Sequence, residues 1–191
     1  MCSVEQLYTW ILKHALHEVV SGQTPHQLAL ASLYALQILG SPDIYYAKEM
    51  MQILPESPDH KAEQLIVAIY CILASYQTIY DMPHMLHRRF RNSKICTHVL
   101  FGDSLSYLVS LTLLSEAHRI LLLIPSTKHR LEILELLDTE LYQFQEKCQV
   151  LQQFDTVPRE ALVQDYTRFQ EVLLHNSVQA MKLLNSSESI D

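Results

Sequence analysis

Chemically active side chains are concentrated in the short stretch between Asp81 and Lys94. Asp81 is its only carboxylate, and six basic or titratable residues follow: His84, His87, Arg88, Arg89, Arg91 and Lys94. Carboxylates bind divalent cations or cap helix ends, and guanidinium groups bind phosphates and carboxylates through paired hydrogen bonds. The stretch therefore predicts either a contact of these cations with a phosphate or an acidic partner, or a solvated basic loop.

Cysteine and histidine residues form no recognisable metal pattern. The four cysteines are far apart and include no C-x-x-C pair: Cys2, Cys71, Cys96 and Cys148. The spacing of the neighbouring candidates also matches no standard transition-metal site: His84, His87, Cys96 and His98. Widely spaced cysteines are typical of free thiols in a reducing compartment, so we expect a cytoplasmic protein without disulfides.

Composition and charge exclude several classes of protein. Hydrophobic residues make up 49% of the 191 residues, which is enough for one domain with a sizeable core. The formal net charge of −7 disfavours binding to nucleic acid. No apolar run reaches the roughly 18 residues that a membrane span needs, and the N-terminus lacks the features of a signal peptide.

The order of apolar stripes and breaks predicts an all-α fold. Apolar residues recur at helical spacing, and glycine or proline residues separate the segments. Seven helices are expected, at about 3–22, 25–39, 43–53, 62–80, 104–123, 131–148 and 159–184. They would form one bundle domain over 1–184, followed by a polar tail over 185–191.

The segment 79–103 resembles a loop of the trans-isoprenyl diphosphate synthases, the polyprenyl synthetase family. It reads IYDMPHMLHRRFRNSKICTHVLFGD, and the family has H-D-D-L-P-x-M-D-x-D-D-L-R-R-G-x-P-T-x-H-x-x-F-G-E in the same register after a long apolar helix. Shared or near-shared positions are Asp81, Met82, Pro83, Met85, Phe90, Arg91, His98, Phe101, Gly102 and Asp103. The resemblance covers 62–123 and implies an isoprenoid-synthase-like helical bundle, degenerate and shortened relative to a complete synthase.

This resemblance implies a particular chemistry and shows where it has been lost. Family members hold Mg²⁺ with carboxylates on two facing helices, and the metals stabilise the leaving diphosphate of an allylic substrate. The first carboxylate set corresponds here to Tyr80, Asp81 and Leu86, so Asp81 is the candidate remnant. Arg88 and Arg89 occupy the next two acidic positions, which makes the loop repel divalent cations.

Other signatures of the family are also incomplete. The second aspartate motif has its nearest counterpart in 163–169, VQDYTRF, where Asp165 is the candidate remnant. The last helix matches the C-terminal helix of the family equally well, so this alignment stays open. The stretch 22–26 has no fixed cation where the family has a lysine and an arginine for a substrate diphosphate, and Asn92 replaces the second of two paired arginines.

Three functions are compatible with the sequence. The resemblance implies a non-catalytic subunit or regulator of an active isoprenyl diphosphate synthase, working without a cofactor in a homo- or hetero-oligomer. Family enzymes are commonly dimers, and some heteromers contain a subunit without the metal motifs. A second hypothesis is an active Mg²⁺-dependent prenyltransferase that uses Asp81 and Asp165. A third is an unrelated helical adaptor or binding module. The first is preferred, because metal ligands and diphosphate-binding residues are lost together.

Overall fold

The computed structural model describes residues 26–39, 60–123, 130–139 and 159–186. These residues form six helices and a short hairpin: α1 His26–Leu39, α2 His60–Tyr80, β1 Phe90–Arg91, β2 Lys94–Ile95, α3 Thr97–Phe101, α4 Asp103–Leu121, α5 130–139 and α6 Arg159–Ser186. The predicted all-α class is confirmed. The helices expected at 3–22 and 43–53 lie outside the described residues, as does the second half of the helix expected at 131–148.

Helix α2 is the centre of the fold. Its sequence is apolar on nearly every face, and residues 65–72 are all buried. A helix of this kind needs neighbours on several sides, and α2 packs against α1, α4 and α6. The hydrophobic core that results extends to α5 through Ile133 and Leu137.

Helices α2 and α4 pack closely because small residues meet between them. The hydroxyl of Ser75 donates to the carbonyl oxygen of Ser110 at 2.9 Å, and both residues are buried. One turn earlier on α2, Cys71 interacts electrostatically with Glu116 and Arg119 of α4. Residue numbers therefore rise along one helix as they fall along the other. The two helices are adjacent and antiparallel, which is the arrangement that the family resemblance requires of these segments.

The connection between α2 and α4 contains a hairpin that the sequence did not predict. In it, Phe90 pairs with Ile95 and Arg91 pairs with Lys94 in antiparallel register. The turn residues Asn92 and Ser93 have φ values of 48° and 63°, as a two-residue turn of type I′ requires. Each strand has only two residues, which is too short for an alternation of apolar and polar residues to predict the hairpin.

Gly102 joins helices α3 and α4. Its φ of 82° and ψ of 162° are accessible to glycine but strained for other residues. The amide of Gly102 donates to the carbonyl of His98 at 2.9 Å, and its own carbonyl accepts the amide of Ser106 at 3.1 Å. The chain thus changes direction between two helices while both backbone groups of the glycine stay hydrogen-bonded.

Helices α5 and α6 complete the described part of the bundle. In α5 the core face is formed by Ile133 and Leu137, while Leu131 is 60% exposed. The side chain of Asn176 in α6 donates to the carbonyl of Leu136 at 2.8 Å. Helix α6 continues to Ser186, two residues into the expected tail. Among the described residues, no helix combines the length and apolar content that a membrane crossing needs.

Candidate functional site

The loop after α2 folds back around the C-terminal end of that helix. The amide of Leu86 donates to the carbonyl of Tyr80 at 3.1 Å, and the amide of Arg88 donates to the carbonyl of Asp81 at 2.9 Å. The last carbonyl groups of a helix have no partner within the helix, and these bonds supply partners for that end. The loop therefore holds its charged residues in a defined position beside the helix end.

The carboxylate of Asp81 is buried and engaged by other side chains of the protein. The residue is 3% exposed. The guanidinium of Arg91 donates from Nε to Oδ2 at 2.8 Å and from Nη2 to Oδ1 at 2.6 Å, a bidentate ion pair. The thiol of Cys96 also donates to Oδ2, at 3.6 Å, and Nε of Arg88 lies 3.9 Å from Oδ1. The candidate remnant of the first aspartate motif is thus neutralised from within the chain.

Burial and charge fix the protonation states around Asp81. Burial alone would lower the pKa of Arg91, but the hydrogen bonds and the charge of Asp81 raise that pKa above its ordinary value. Burial, reinforced by the neighbouring carboxylate of Asp81, raises the pKa of Cys96 to about 12. Arg91 therefore stays charged, and Cys96 stays a thiol that can donate a hydrogen bond but does not act as a thiolate ligand or nucleophile at neutral pH.

Aromatic rings fill the place where α2 meets α6. Tyr80 and Tyr166 stack with their ring centroids 4.4 Å apart, and the hydroxyl of Tyr80 donates to the carbonyl oxygen of Leu162. The guanidinium carbon of Arg91 lies 5.4 Å from the centroid of the Tyr166 ring, within the range of a cation–π interaction. Two aromatic rings and an arginine thus meet where the resemblance expects carboxylates on facing helices.

The aromatic contact continues along the two helices. One turn before Tyr80, the ring of Tyr76 lies 4.8 Å from that of Phe169, which in turn lies 6.5 Å from Tyr166. All four residues are buried, with 1–6% of their surface exposed. Close packing of large rings leaves little volume between the helices at this point. We call Tyr76, Tyr80, Tyr166 and Phe169 the aromatic row.

The second predicted remnant, Asp165, belongs to helix α6, but its side chain lies outside the part of the structure that is described. Its neighbour Tyr166 contacts the end of α2. The stretch 163–169 therefore approaches the helix that carries the first motif, as the alignment of the second motif requires. The assignment of Asp165 as a remnant stays a prediction.

The four cations predicted to contact a diphosphate or a partner do not act as one group. Arg91 is committed to Asp81, and Nζ of Lys94 donates to the carbonyl oxygen of Gln37 in α1 at 3.2 Å. The side chain of Arg88 is 33% exposed, and Arg89 is exposed without an ion pair or side-chain hydrogen bond among the described residues. Arg88 and Arg89 are therefore the accessible guanidinium groups of the loop, while Lys94 is also exposed but hydrogen-bonded to α1.

The hairpin has a structural role that the sequence did not reveal. Nδ2 of Asn92 donates to the carbonyl oxygens of Ile38 and Leu39, at 3.1 and 3.2 Å, and the hydroxyl of Tyr34 donates to the carbonyl of Ile95 at 2.8 Å. Asn92 stands where the family has the second of two arginines. Here it caps the C-terminal end of α1, a helix end whose carbonyl groups otherwise lack partners.

The histidines of this region form no metal centre. Burial lowers the pKa of His98, which is 7% exposed, so its ring is neutral at physiological pH. His84 instead stacks on Tyr107 with centroids 5.5 Å apart, and its Nε2 lies 2.9 Å from the tyrosine hydroxyl. Within the described ranges, no group of three or more His, Cys, Asp and Glu side chains could hold a metal ion.

The donor set at the end of α2 does not fit Mg²⁺. This ion prefers several hard oxygen ligands in octahedral geometry, usually with carboxylates. Both oxygens of Asp81 already accept hydrogen bonds from Arg91. A phenol ring, an isobutyl group and two guanidinium groups occupy the other positions at which the family has acidic residues: Tyr80, Leu86, Arg88 and Arg89. The two guanidinium groups repel a divalent cation, and Tyr80 and Leu86 offer it no carboxylate.

Known proteins resemble this chain in structure but not detectably in sequence. No protein-family model matches the sequence, and a search of curated proteins gave no match. A geranyltransferase from Legionella pneumophila superposes with a TM-score of 0.69 at 17% identity over 93% of this chain. An FPP/GFPP synthase from Zymomonas mobilis superposes with a TM-score of 0.70 at 18% identity over 94% of it.

The two solved structures are longer than this chain, which covers 64% and 68% of their respective lengths. Both are trans-isoprenyl diphosphate synthases. Identity below 20% says nothing reliable about activity, whereas agreement over more than nine tenths of this chain defines its architecture. This chain has the fold of the trans-isoprenyl diphosphate synthases.

Proposed function

We propose that this chain is a non-catalytic, cytoplasmic protein that acts as a subunit or regulator of an active isoprenyl diphosphate synthase and needs no Mg²⁺ of its own. The observation that carries the proposal is the buried, bidentate ion pair between Asp81 and Arg91. In this ion pair Arg91 binds both oxygens of the carboxylate that a catalytic metal would need as a ligand. The free, buried thiols of Cys71 and Cys96 support the assignment to a reducing compartment.

The aromatic row supports the same proposal, because it fills space that a substrate would need. A prenyl diphosphate and its metals need open, polar volume between the two helices that carry the motifs. Tyr80 and Tyr166 stack across that space and are 1% and 6% exposed. Opening it would require the separation of two packed rings and the loss of the cation–π contact with Arg91.

An outer face of α4 with large apolar residues supports association with another protein. The exposed residues of α4 are Asp103 at its start and, recurring at helical spacing, Ser104, Tyr107, Leu108, Leu111 and Ser115. Leu108 and Leu111 are 51% and 59% exposed. The exposed residues of α6 differ, since charges such as Glu160, Arg168 and Glu171 are spread along that helix. A helix face on which large apolar residues lie exposed together is typical of a protein contact.

The catalytic part of the proposal is tested with purified protein, Mg²⁺, and allylic and homoallylic diphosphates. We expect no chain elongation above the rate without protein, because no described residue set supplies a metal site at the end of α2. Condensation that depends on Mg²⁺ and disappears in Asp81→Asn would contradict the proposal. It would favour the alternative of an active prenyltransferase.

The association is tested by co-purification from the native source and then by reconstitution with the synthase that co-purifies. We expect the synthase to change its rate or product length when the chain is added. Leu108→Glu with Leu111→Glu should abolish the effect, because two buried charges would oppose the contact. The matched control is Val163→Glu with Thr167→Glu on the exposed face of α6. A synthase unaffected by the wild-type chain would contradict a regulatory role.

A further inference from the structure

The charge of this chain is distributed unevenly along the sequence. The segment 82–102 contains four of its 14 basic residues and none of its 21 acidic residues. The formal net charge of the whole chain is −7, so the segment is a basic region on an acidic protein. Such a region attracts anionic partners locally while the rest of the surface repels them.

Three consecutive residues present this basic region to solvent. Arg88 has a side chain that is 33% exposed, Arg89 is exposed, and Phe90 is 61% exposed. Arg91, by contrast, is largely covered and binds Asp81, and Lys94 is exposed but hydrogen-bonds the end of α1. We call Arg88, Arg89 and Phe90 the Arg-Arg-Phe surface.

The backbone beneath this surface is held by hydrogen bonds on both sides. The amide of Arg88 donates to the carbonyl of Asp81 at 2.9 Å, and the carbonyl of Arg89 accepts the amide of Cys96 at 2.8 Å. Phe90 begins the hairpin and pairs with Ile95. A partner that binds here orders side chains but does not have to order the loop, which lowers the entropic cost of binding.

We propose that the Arg-Arg-Phe surface docks a carboxylate-rich segment of the partner protein. This inference rests on the proposed function, because that partner is the synthase. Two adjacent guanidinium groups can each bind a carboxylate through paired hydrogen bonds, and the exposed ring of Phe90 offers an apolar anchor beside them. Arginine and aromatic residues dominate binding energy at protein interfaces.

Charge complementarity favours a narrow acidic segment over a flat anionic surface. A membrane rich in anionic lipid would also face the surface around the basic region, on a protein whose formal net charge is −7. An acidic peptide segment contacts the basic region alone. The exposed aromatic ring beside the two arginines also favours a polypeptide over a free phosphate, which offers no apolar group to it.

The test measures binding of a fluorescein-labelled peptide of twelve residues, rich in Asp and Glu with two Leu, by anisotropy with the full chain. We expect Arg88→Ala with Arg89→Ala to weaken binding at least about tenfold and to reduce its salt dependence. Lysine at both positions should restore binding in part, because it keeps the charges but not the paired hydrogen bonds. Phe90→Ala should weaken binding about fivefold.

The matched control is Arg168→Ala with Lys182→Ala, which removes the same charge from exposed positions of α6. We expect its affinity to stay within about twofold of that of the wild type, because screening weakens distant charges. Equal loss of binding in both double variants would mean attraction to net charge alone and would overturn the proposal. Unchanged binding by the Arg88 and Arg89 variant would also overturn it, provided that circular dichroism shows it folded.

Two further arms separate this inference from the proposed function. Binding of the chain to vesicles of phosphatidylcholine and phosphatidylserine, without binding to the peptide, would overturn the claim that this surface docks a protein segment. In reconstitution, a synthase that responds equally to the wild type and the double arginine variant would overturn this surface and leave the proposed function intact. A synthase that ignores both, while the peptide depends on Arg88 and Arg89, would overturn the proposed function and the synthase as partner, and would leave the preference of this surface for an acidic segment intact.

Discussion

Asp81 stands where the family resemblance expects a metal-binding carboxylate, but in this structure it forms an ion pair with another side chain of the chain. Its carboxylate remains at the end of α2, but the protein itself now supplies the positive charge, as the guanidinium of Arg91. A buried ion pair of this kind adds little net stability, because both charges lose their hydration. Removal of either partner nevertheless destabilises the fold, since the remaining charge would be buried without compensation.

The mutual dependence of Asp81 and Arg91 gives a prediction for stability. Arg91→Ala leaves the carboxylate buried and uncompensated, and we expect the free energy of unfolding to fall by about 3 kcal/mol. Urea denaturation followed by circular dichroism measures the change. Asp81→Asn with Arg91→Met removes both charges and should recover most of the loss. A loss below about 0.5 kcal/mol in Arg91→Ala would mean that the ion pair is absent in solution.

The hairpin 90–95 is an example at the scale of one element. Two of its residues bind carbonyl groups at the end of α1: Asn92 through its amide and Lys94 through its ammonium group. A positive charge at a helix C-terminus also interacts favourably with the helix dipole. The element that resembles a diphosphate-binding loop in sequence therefore works, in this structure, as a helix cap.

The hairpin predicts opposite effects for neighbouring substitutions. Asn92→Ala removes the cap of α1 and should destabilise the protein by about 1 kcal/mol. Ser93→Gly relieves a φ of 63° and should stabilise it by about 0.5 kcal/mol. Thermal denaturation of the two variants beside the wild type measures both. A Ser93→Gly variant that melts clearly below the wild type would contradict the left-handed turn.

The contact between α4 and α5 depends on a titratable side chain. Nδ1 of His118 donates to the carbonyl oxygen of Leu114, and Nε2 lies 2.8 Å from Oδ1 of Asp138. Burial alone would lower the pKa of His118, but these two hydrogen bonds and the charge of Asp138 raise it above the ordinary 6.5. The ion pair therefore contributes fully below pH 6.5 and is lost as the pH rises through the folded pKa.

This contact gives a prediction for pH dependence. Asp138→Asn should lower the free energy of unfolding by about 0.5 kcal/mol at acidic pH, and by less at alkaline pH, because the pair is partly exposed and screened by solvent. Denaturation of the wild type and the variant across this range measures the difference. NMR titration of His118 should show a lower pKa in the variant. An unchanged pKa would exclude the ion pair as its cause.

At the scale of the whole molecule, one hydrophobic core joins the helices on which the family resemblance expects the metal-binding carboxylates. The aromatic row fills the contact between α2 and α6, and Ser75 and Ser110 bring α2 and α4 together. Packed side chains fill the space at the C-terminal end of α2, where the first motif would lie. The surfaces that our proposals assign to a partner lie on the outside, namely the apolar outer face of α4 and the Arg-Arg-Phe surface.

Burial in this core gives a prediction for the described cysteines. Burial raises the pKa of Cys71 and of Cys96 to about 12, and at most 1% of either residue is exposed. At pH 8 the thiolate fraction is on the order of 10⁻⁴, so both should resist iodoacetamide until the protein unfolds. Mass spectrometry of peptides labelled with and without guanidinium measures this. Rapid native labelling of Cys96 would contradict its contact with Asp81.

The sequence by itself determined the helical architecture and the identity of the segment 79–103. The spacing of apolar residues along a single segment is enough to predict a helix. For α2 and α6 this prediction therefore needs no information about the helices that pack against them. The same holds for the departure from the family pattern, because Tyr80, Leu86, Arg88 and Arg89 can be compared residue by residue with the positions at which the family has aspartates. The preference for a non-catalytic role followed from that pattern.

Only the tertiary structure decided what the remaining residues do. Arg91 is ten residues from Asp81, Asn92 is more than fifty from the helix that it caps, and Tyr166 is 86 from the ring on which it stacks. Such partners depend on how helices pack, which no local spacing encodes. The hairpin was missed for a related reason, since strands of two residues have no period. The sequence identified the segment that resembles a metal-binding loop, and the packing showed that an ion pair and stacked aromatic rings lie there.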